Sequence, residues 1–102
     1  MTINQQENNV VLVGKKPIMN YVVACLTVFD SGIFSVKVKA RGIAISRAVD
    51  AVELLRRAFF KGLKTDEITI GTQEFLQRNR INSSVSTIEI IISKPKITKL
   101  KG

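Results

Sequence analysis

The chain has 102 residues, 16 of them Lys or Arg against 8 Asp or Glu, with no His and one Cys. That composition excludes Ser-His-Asp and Cys-His catalysis, any His-ligated metal, an internal disulfide and a cysteine-built zinc site. The length suits one domain that buries roughly two-thirds of its unfolded surface, and the net charge of +8 points to a polyanionic partner, nucleic acid ahead of an anionic membrane.

In chain order, residues 1–8 are polar and read as a flexible tail. The opening has no basic segment followed by an apolar core, so no secretory signal is expected, and no apolar stretch approaches a membrane-spanning length. Val10-Val11-Leu12-Val13 is a short β-branched run that ends at Gly14 and reads as a buried strand. Lys15-Lys16-Pro17 follows, and Pro suits the first turn of a helix over 17–30, which Gly32 stops. That helix is apolar nearly all round and should be largely covered. Within it Cys25 reads as a buried core thiol in a reducing compartment.

Phe34 to Ala40 alternates, with Phe34, Val36, Val38 and Ala40 on one face and Lys37 and Lys39 on the other: a half-buried strand. Arg41-Gly42 turns into a second helix over 43–61, whose core stripe is Ile45, Ala48, Val49, Val52, Leu55 and Phe59. Glu53 and Arg57 stand at an i,i+4 spacing that favours an ion pair. Residues 67–75 and 85–93 read as two more strands, paired as a hairpin, with the polar stretch 76–83 as its long tip. Residues 95–102 form a basic tail after a single domain at 9–94.

The order β-α-β-α-β-β predicts an α/β chain folded as an α+β two-layer sandwich. It has a mixed four-stranded sheet, two helices on one face and a protruding hairpin arm. A strand–helix–strand unit makes a right-handed crossover between parallel strands. The turns Gly14-Lys15-Lys16 and Arg41-Gly42 therefore share one sheet edge, where both helix N-termini add partial positive charge and backbone N–H donors. Lys15, Lys16 and Arg41 form a candidate phosphate-binding ridge. The hairpin carries Arg78 and Arg80 past the same edge if its first strand runs parallel to the other two. The carboxylates Asp50, Glu53, Asp66, Glu67, Glu74 and Glu89 have no spacing that suggests acid–base work, and the glycine patterns of nucleotide-binding loops are absent. No enzymatic activity, metal or cofactor is expected.

Three blocks carry a resemblance. Residues 10–22, Val-Val-Leu-Val-Gly-Lys-Lys-Pro-Ile-Met-Asn-Tyr-Val, resemble the opening of the Alba family of archaeal chromatin proteins. Lys39-Ala40-Arg41-Gly42, Ala44-Ile45-Ser46 and Ala48-Val49-Asp50 resemble its second signature, and Val85-Ser86-Thr87-Ile88-Glu89-Ile90 its last strand. The resemblance spans residues 9–94 and implies a fold similar to the C-terminal domain of a bacterial translation initiation factor. It also implies a dimer that binds double-stranded DNA with little sequence preference, compacts the chromosome in the cytoplasm, and in many relatives binds RNA. By resemblance, Lys15 and Lys16 contact nucleic acid and are candidates for acetylation. Arg41 and Gly42 belong to the same surface, and Arg78, Asn79 and Arg80 lie in an arm that enters the minor groove. Phe59 matches a position of dimer–dimer contact, so a homodimer, a heterodimer with a paralogue and higher assembly along DNA are all implied. Ile43 stands where relatives often carry a basic residue.

Overall fold

The computed structural model describes residues 9–78 and 80–95. The expected flexible tail at 1–8, all but the start of the basic tail at 95–102, and Asn79 lie outside the described residues. The elements are β1 (Val10–Leu12), α1 (Ile18–Asp30), β2 (Ser35–Arg41), α2 (Ala44–Leu54) with a π-helical turn at Leu55–Phe59, β3 (Lys64–Gln77) and β4 (Arg80–Ser93). They form one mixed sheet in the order β1-β2-β4-β3. β1 and β2 are parallel, β4 runs antiparallel to both of its neighbours, and β3 is therefore parallel to β1 and β2.

One face of the sheet is covered by the helices. Val11, Val13, Val36, Val38, Ala40, Ile88, Ile90 and Ile92 point inward and meet Val22, Cys25 and Phe29 of α1 and Ala48, Val52 and Leu55 around α2. This is the alternation read from the sequence, converted into a half-buried sheet. Burial pushes the Cys25 thiol up to about 12, so it is a neutral core group.

Several expectations need correction. α1 is not covered all round, because Met19 and Val23 are exposed on its outer flank. Phe34 lies just before β2 and is exposed rather than part of its core face. The core stripe of α2 omits Val49, 42% exposed, and Phe59, 49% exposed. The π-helical turn explains the second case. Phe60 N–H bonds the Leu55 carbonyl at 2.8 Å, an i→i+5 bond that inserts one residue into the turn. Phe60 rather than Phe59 then packs on Phe29, edge to face at 5.3 Å. Glu53 pairs with Arg56, the i,i+3 neighbour, rather than with Arg57.

The largest difference lies in the hairpin. The stretch 76–83 is not a long tip: both strands run fourteen residues, and the chain reverses between the paired residues Gln77 and Arg80. Arg78 has φ of 56°, the left-handed region that a two-residue hairpin turn requires and that costs a bulky residue about 1–2 kcal/mol. The last β2–β4 pair is Arg41 with Thr87, opposite Gly71. Beyond that point β3 and β4 have only each other, and this ribbon projects about 20 Å, six residues at about 3.4 Å each. The arm gives the molecule extents of 63 × 34 × 22 Å and a radius of gyration of 15.8 Å, against about 13 Å for a compact chain of this length.

Candidate nucleic-acid interface

The parallel register Val10↔Lys37, Val11↔Val38 and Leu12↔Lys39 brings the C-terminal ends of β1 and β2 side by side. Val13 N–H extends the ladder by one bond to the Lys39 carbonyl at 2.8 Å. The turns at 13–17 and 41–43 therefore share one edge, as the crossover argument requires. A hollow of about 430 Å³ lies between them, lined by Val13, Gly14, Lys15, Arg41, Ile43, Ala44 and Arg47. Lys15 and Arg41 thus meet across a single depression. Lys16 does not join them: it borders a separate groove with Leu12, Asn20 and Tyr21 on the outer side of β1 and α1. Both lysines are exposed.

Three backbone donors of these turns, those of Gly14, Lys16 and Gly42, are in use. The Tyr21 hydroxyl accepts from the N–H groups of Gly14 and Lys16, both at 2.9 Å. Gly42, with φ of 59°, donates its N–H to the Ser86 carbonyl at 2.9 Å. The cationic side chains, rather than a cradle of free amides, are what these turns offer to an anion. Tyr21 itself is buried, so it is a bracket for the turn rather than a stacking surface.

Arg41 has two attachments on the open face of the sheet. Its Nη1 donates to Gln73 Oε1 at 2.9 Å, and its guanidinium lies 5.7 Å from the centre of the Phe75 ring. Both partners belong to β3 where it leaves the body, so Arg41 joins the edge to the root of the arm. Arg78 and Arg80 are exposed at the far end. Because β3 is parallel to β1 and β2, that end points past the same edge. The structure therefore brings Lys15 and Arg41 together, turns Lys16 outward from them, and holds the arm arginines roughly 20 Å beyond.

Other cations are occupied. Lys37 and Lys39 flank Glu89 at 3.8 and 3.4 Å, which halves the charge of that face. Arg47 was not singled out by the sequence reading. Its Nε donates to the Gly14 carbonyl at 3.0 Å and its Nη2 to the Lys16 carbonyl. The available signal was electrostatic: a cation near the start of a helix faces the positive end of the macrodipole and requires acceptors. Among the described residues no group of three His, Cys, Asp or Glu side chains is placed to hold a metal, and no helix is long and apolar enough to cross a membrane.

A family model described as Alba matches residues 9–72. A DNA/RNA-binding protein Alba from Methanocella arvoryzae is 46% identical over 90 residues, 88% of this chain and 94% of that protein. Among solved structures, Alba from Thermoplasma volcanium superposes with a TM-score of 0.76 at 45% identity, covering 84% of this chain and all of that one. ALBA1 from Trypanosoma brucei superposes with a TM-score of 0.72 at 28% identity, over 86% of this chain and 70% of that one.

Proposed function

Because the chain belongs to the Alba family, we propose that it is a dimeric nucleic-acid-binding protein that coats and compacts double-stranded DNA with little sequence preference. The observation that carries this reading is the shared edge: Lys15, Lys16 and Arg41 on two adjacent turns, with Arg78 and Arg80 on a ribbon that extends past them. Affinity then comes from phosphate neutralisation and counterion release, which are independent of sequence. A two-stranded ribbon about 20 Å long with arginines at its tip has the dimensions to follow a groove away from the body. Gly42 belongs to the same surface as the turn residue after Arg41.

The dimer reading is supported by apolar residues left uncovered. Ile68 and Ile70 pair with Ile90 and Ile88, so they stand on the helix-bearing face of the sheet, yet they are 59% and 78% exposed. A second copy, or a paralogue in a heterodimer, would cover them. Phe59, exposed beyond α2, would serve contact between neighbouring dimers on the same duplex. The protein would work on the chromosome in the cytoplasm, by binding rather than by catalysis. Exposed Lys15 and Lys16 are open to acetylation, which removes a charge from the edge.

RNA is the second reading. It is favoured by the name of the Methanocella relative, which binds both nucleic acids, and by contacts that address phosphates, which both carry. Competition between duplex DNA, duplex RNA and single strands at one salt concentration tests the choice. Tighter binding of duplex DNA is expected; a preference for RNA would make it the main target, and no salt dependence on any of them would end the phosphate mechanism.

A further inference from the structure

We propose that Arg47 is a positioning residue. With Tyr21 it clamps the Gly14–Lys16 turn to both helices, and so sets where Lys15 and Lys16 stand relative to Arg41. The role deepens the reading of this edge as a phosphate site and rests on it.

Four backbone groups carry the argument. Gly14 and Lys16 each give their N–H to the Tyr21 hydroxyl and their C=O to the Arg47 guanidinium. Both polar groups of both residues are thus held by side chains, one from each helix. Tyr21 stands in the first turn of α1, directly after the lysine turn. Arg47 stands near the start of α2, directly after the other cationic turn. The two brackets grip residues 14 and 16 and leave Lys15 between them, on the lining of the hollow that Arg41 also lines. Within this set Arg47 alone reaches from the start of α2 to the first turn, and it adds a side-chain tie beyond the last ladder bond, Val13 N–H to the Lys39 carbonyl.

The residue type fits the task. A guanidinium is planar and presents its N–H donors in a rigid fork, so it can hold the carbonyls of two nearby residues at once; an ammonium is a point donor. Those carbonyls also compensate a cation placed near a helix N-terminus, where the macrodipole opposes it. Arg47 lines the hollow but has two donors committed to carbonyls, which separates it from Lys15 and Arg41 as a direct phosphate ligand.

The test uses Tyr21→Phe, which removes the shared acceptor without changing charge, and Arg47→Lys, which keeps the charge but loses the fork. Arg47→Met is compared with Arg57→Met, the same charge removed about 15 Å further along the helical segment, ten residues at 1.5 Å. Two quantities are read: hydrogen exchange of the Gly14 and Lys16 amides in the free protein, and the slope of log affinity against log salt for a 30-base-pair duplex. Faster exchange at both amides is expected in Tyr21→Phe and Arg47→Lys. The slope should become less negative by about 0.9 for each lysine that loses its phosphate, close to an eightfold loss of affinity at 0.1 M salt per contact. Arg57→Met should leave both quantities near those of the parent. A loss of stability alone lowers the melting midpoint and the active fraction but leaves the slope unchanged, so the slope separates positioning from mere support. Parental exchange rates, or faster exchange with a parental slope in both conservative variants, would overturn the proposal. A parent with no salt slope would instead overturn the phosphate reading itself, and this role with it, while the exchange rates would still show whether the turn is clamped.

Discussion

Replacing Lys15 and Lys16 together by Gln removes two positive charges per subunit while keeping side chains of similar reach. Neither lysine takes part in an ion pair among the described residues, and both are exposed, so stability should change by less than about 0.5 kcal/mol per site. The effect on binding is calculable. Lys15, Lys16, Arg41, Arg78 and Arg80 supply five cations per subunit and ten per dimer. If each meets a phosphate, the slope of log K against log salt is about −9, and affinity falls about five decades between 50 and 200 mM. The double variant keeps six contacts per dimer, so its slope should be about −5.4 and its loss about three decades over the same range. Fluorescence anisotropy of a labelled 30-base-pair duplex at several KCl concentrations measures both slopes. A variant slope equal to that of the parent would refute the assignment of the lysine turn to phosphates, whatever the change in affinity at one salt concentration.

Closing the arm early, with Asn-Gly in place of residues 76–82 between the paired residues Phe75 and Ser83, removes Arg78 and Arg80 while keeping the Phe75 ring beside Arg41. The slope should become less negative by about 3.6 per dimer, with the melting midpoint within a few degrees of the parent; an unchanged affinity would take the arm out of the site. Ile70→Asp places a charge on an isoleucine that is 78% exposed in the single chain. Sedimentation equilibrium should show a dimer in the parent and a monomer with an unaltered circular dichroism spectrum in the variant, and a monomeric parent would sink the dimer. Cys25 has a folded-state value near 12, against about 8.5 in an unfolded chain. Its contribution is intact below about pH 8.5 and is lost above it, because only the unfolded state releases the proton, at about 1.4 kcal/mol per pH unit toward pH 12. The stability gap between parent and Cys25→Ala, measured by urea unfolding, should narrow from pH 9 to 11; parallel curves would contradict the buried thiol.

The element order, the sheet's inward face and the shared edge were legible because each has a short-range signature. Val36, Val38 and Ala40 alternate with Lys37 and Lys39, and the right-handed crossover then places both cationic turns together. The arm was half legible. Residues 76–83 carry no alternation because the ribbon has no body to pack against, so its strands are held by the cross-strand ladder rather than by a buried face. Sequence patterning reports burial, and where burial is absent a strand looks like a loop. The π-helical turn was invisible for a related reason: one inserted residue moves the inward position from Phe59 to Phe60, and an adjacent pair of identical residues conceals the shift.

Charge shows the same division between what is local and what is tertiary. Net charge alone treats sixteen cations as equivalent, but the fold sorts several of them by their neighbours. Lys37 and Lys39 share Glu89, Arg56 has Glu53, and Arg47 is bound to backbone carbonyls. Among the described residues Arg41 is committed to a neutral amide and an aromatic ring and to no carboxylate, so its charge is uncompensated there while its position is held. That combination is what binding to phosphate rewards, since a preorganised cation loses little side-chain entropy on contact. Position thus matters more than number at this edge. The residues that confer it, Gln73 and Phe75 for Arg41 and Tyr21 and Arg47 for the lysine turn, look in the sequence like strand residues, an aromatic core residue and one more surface charge.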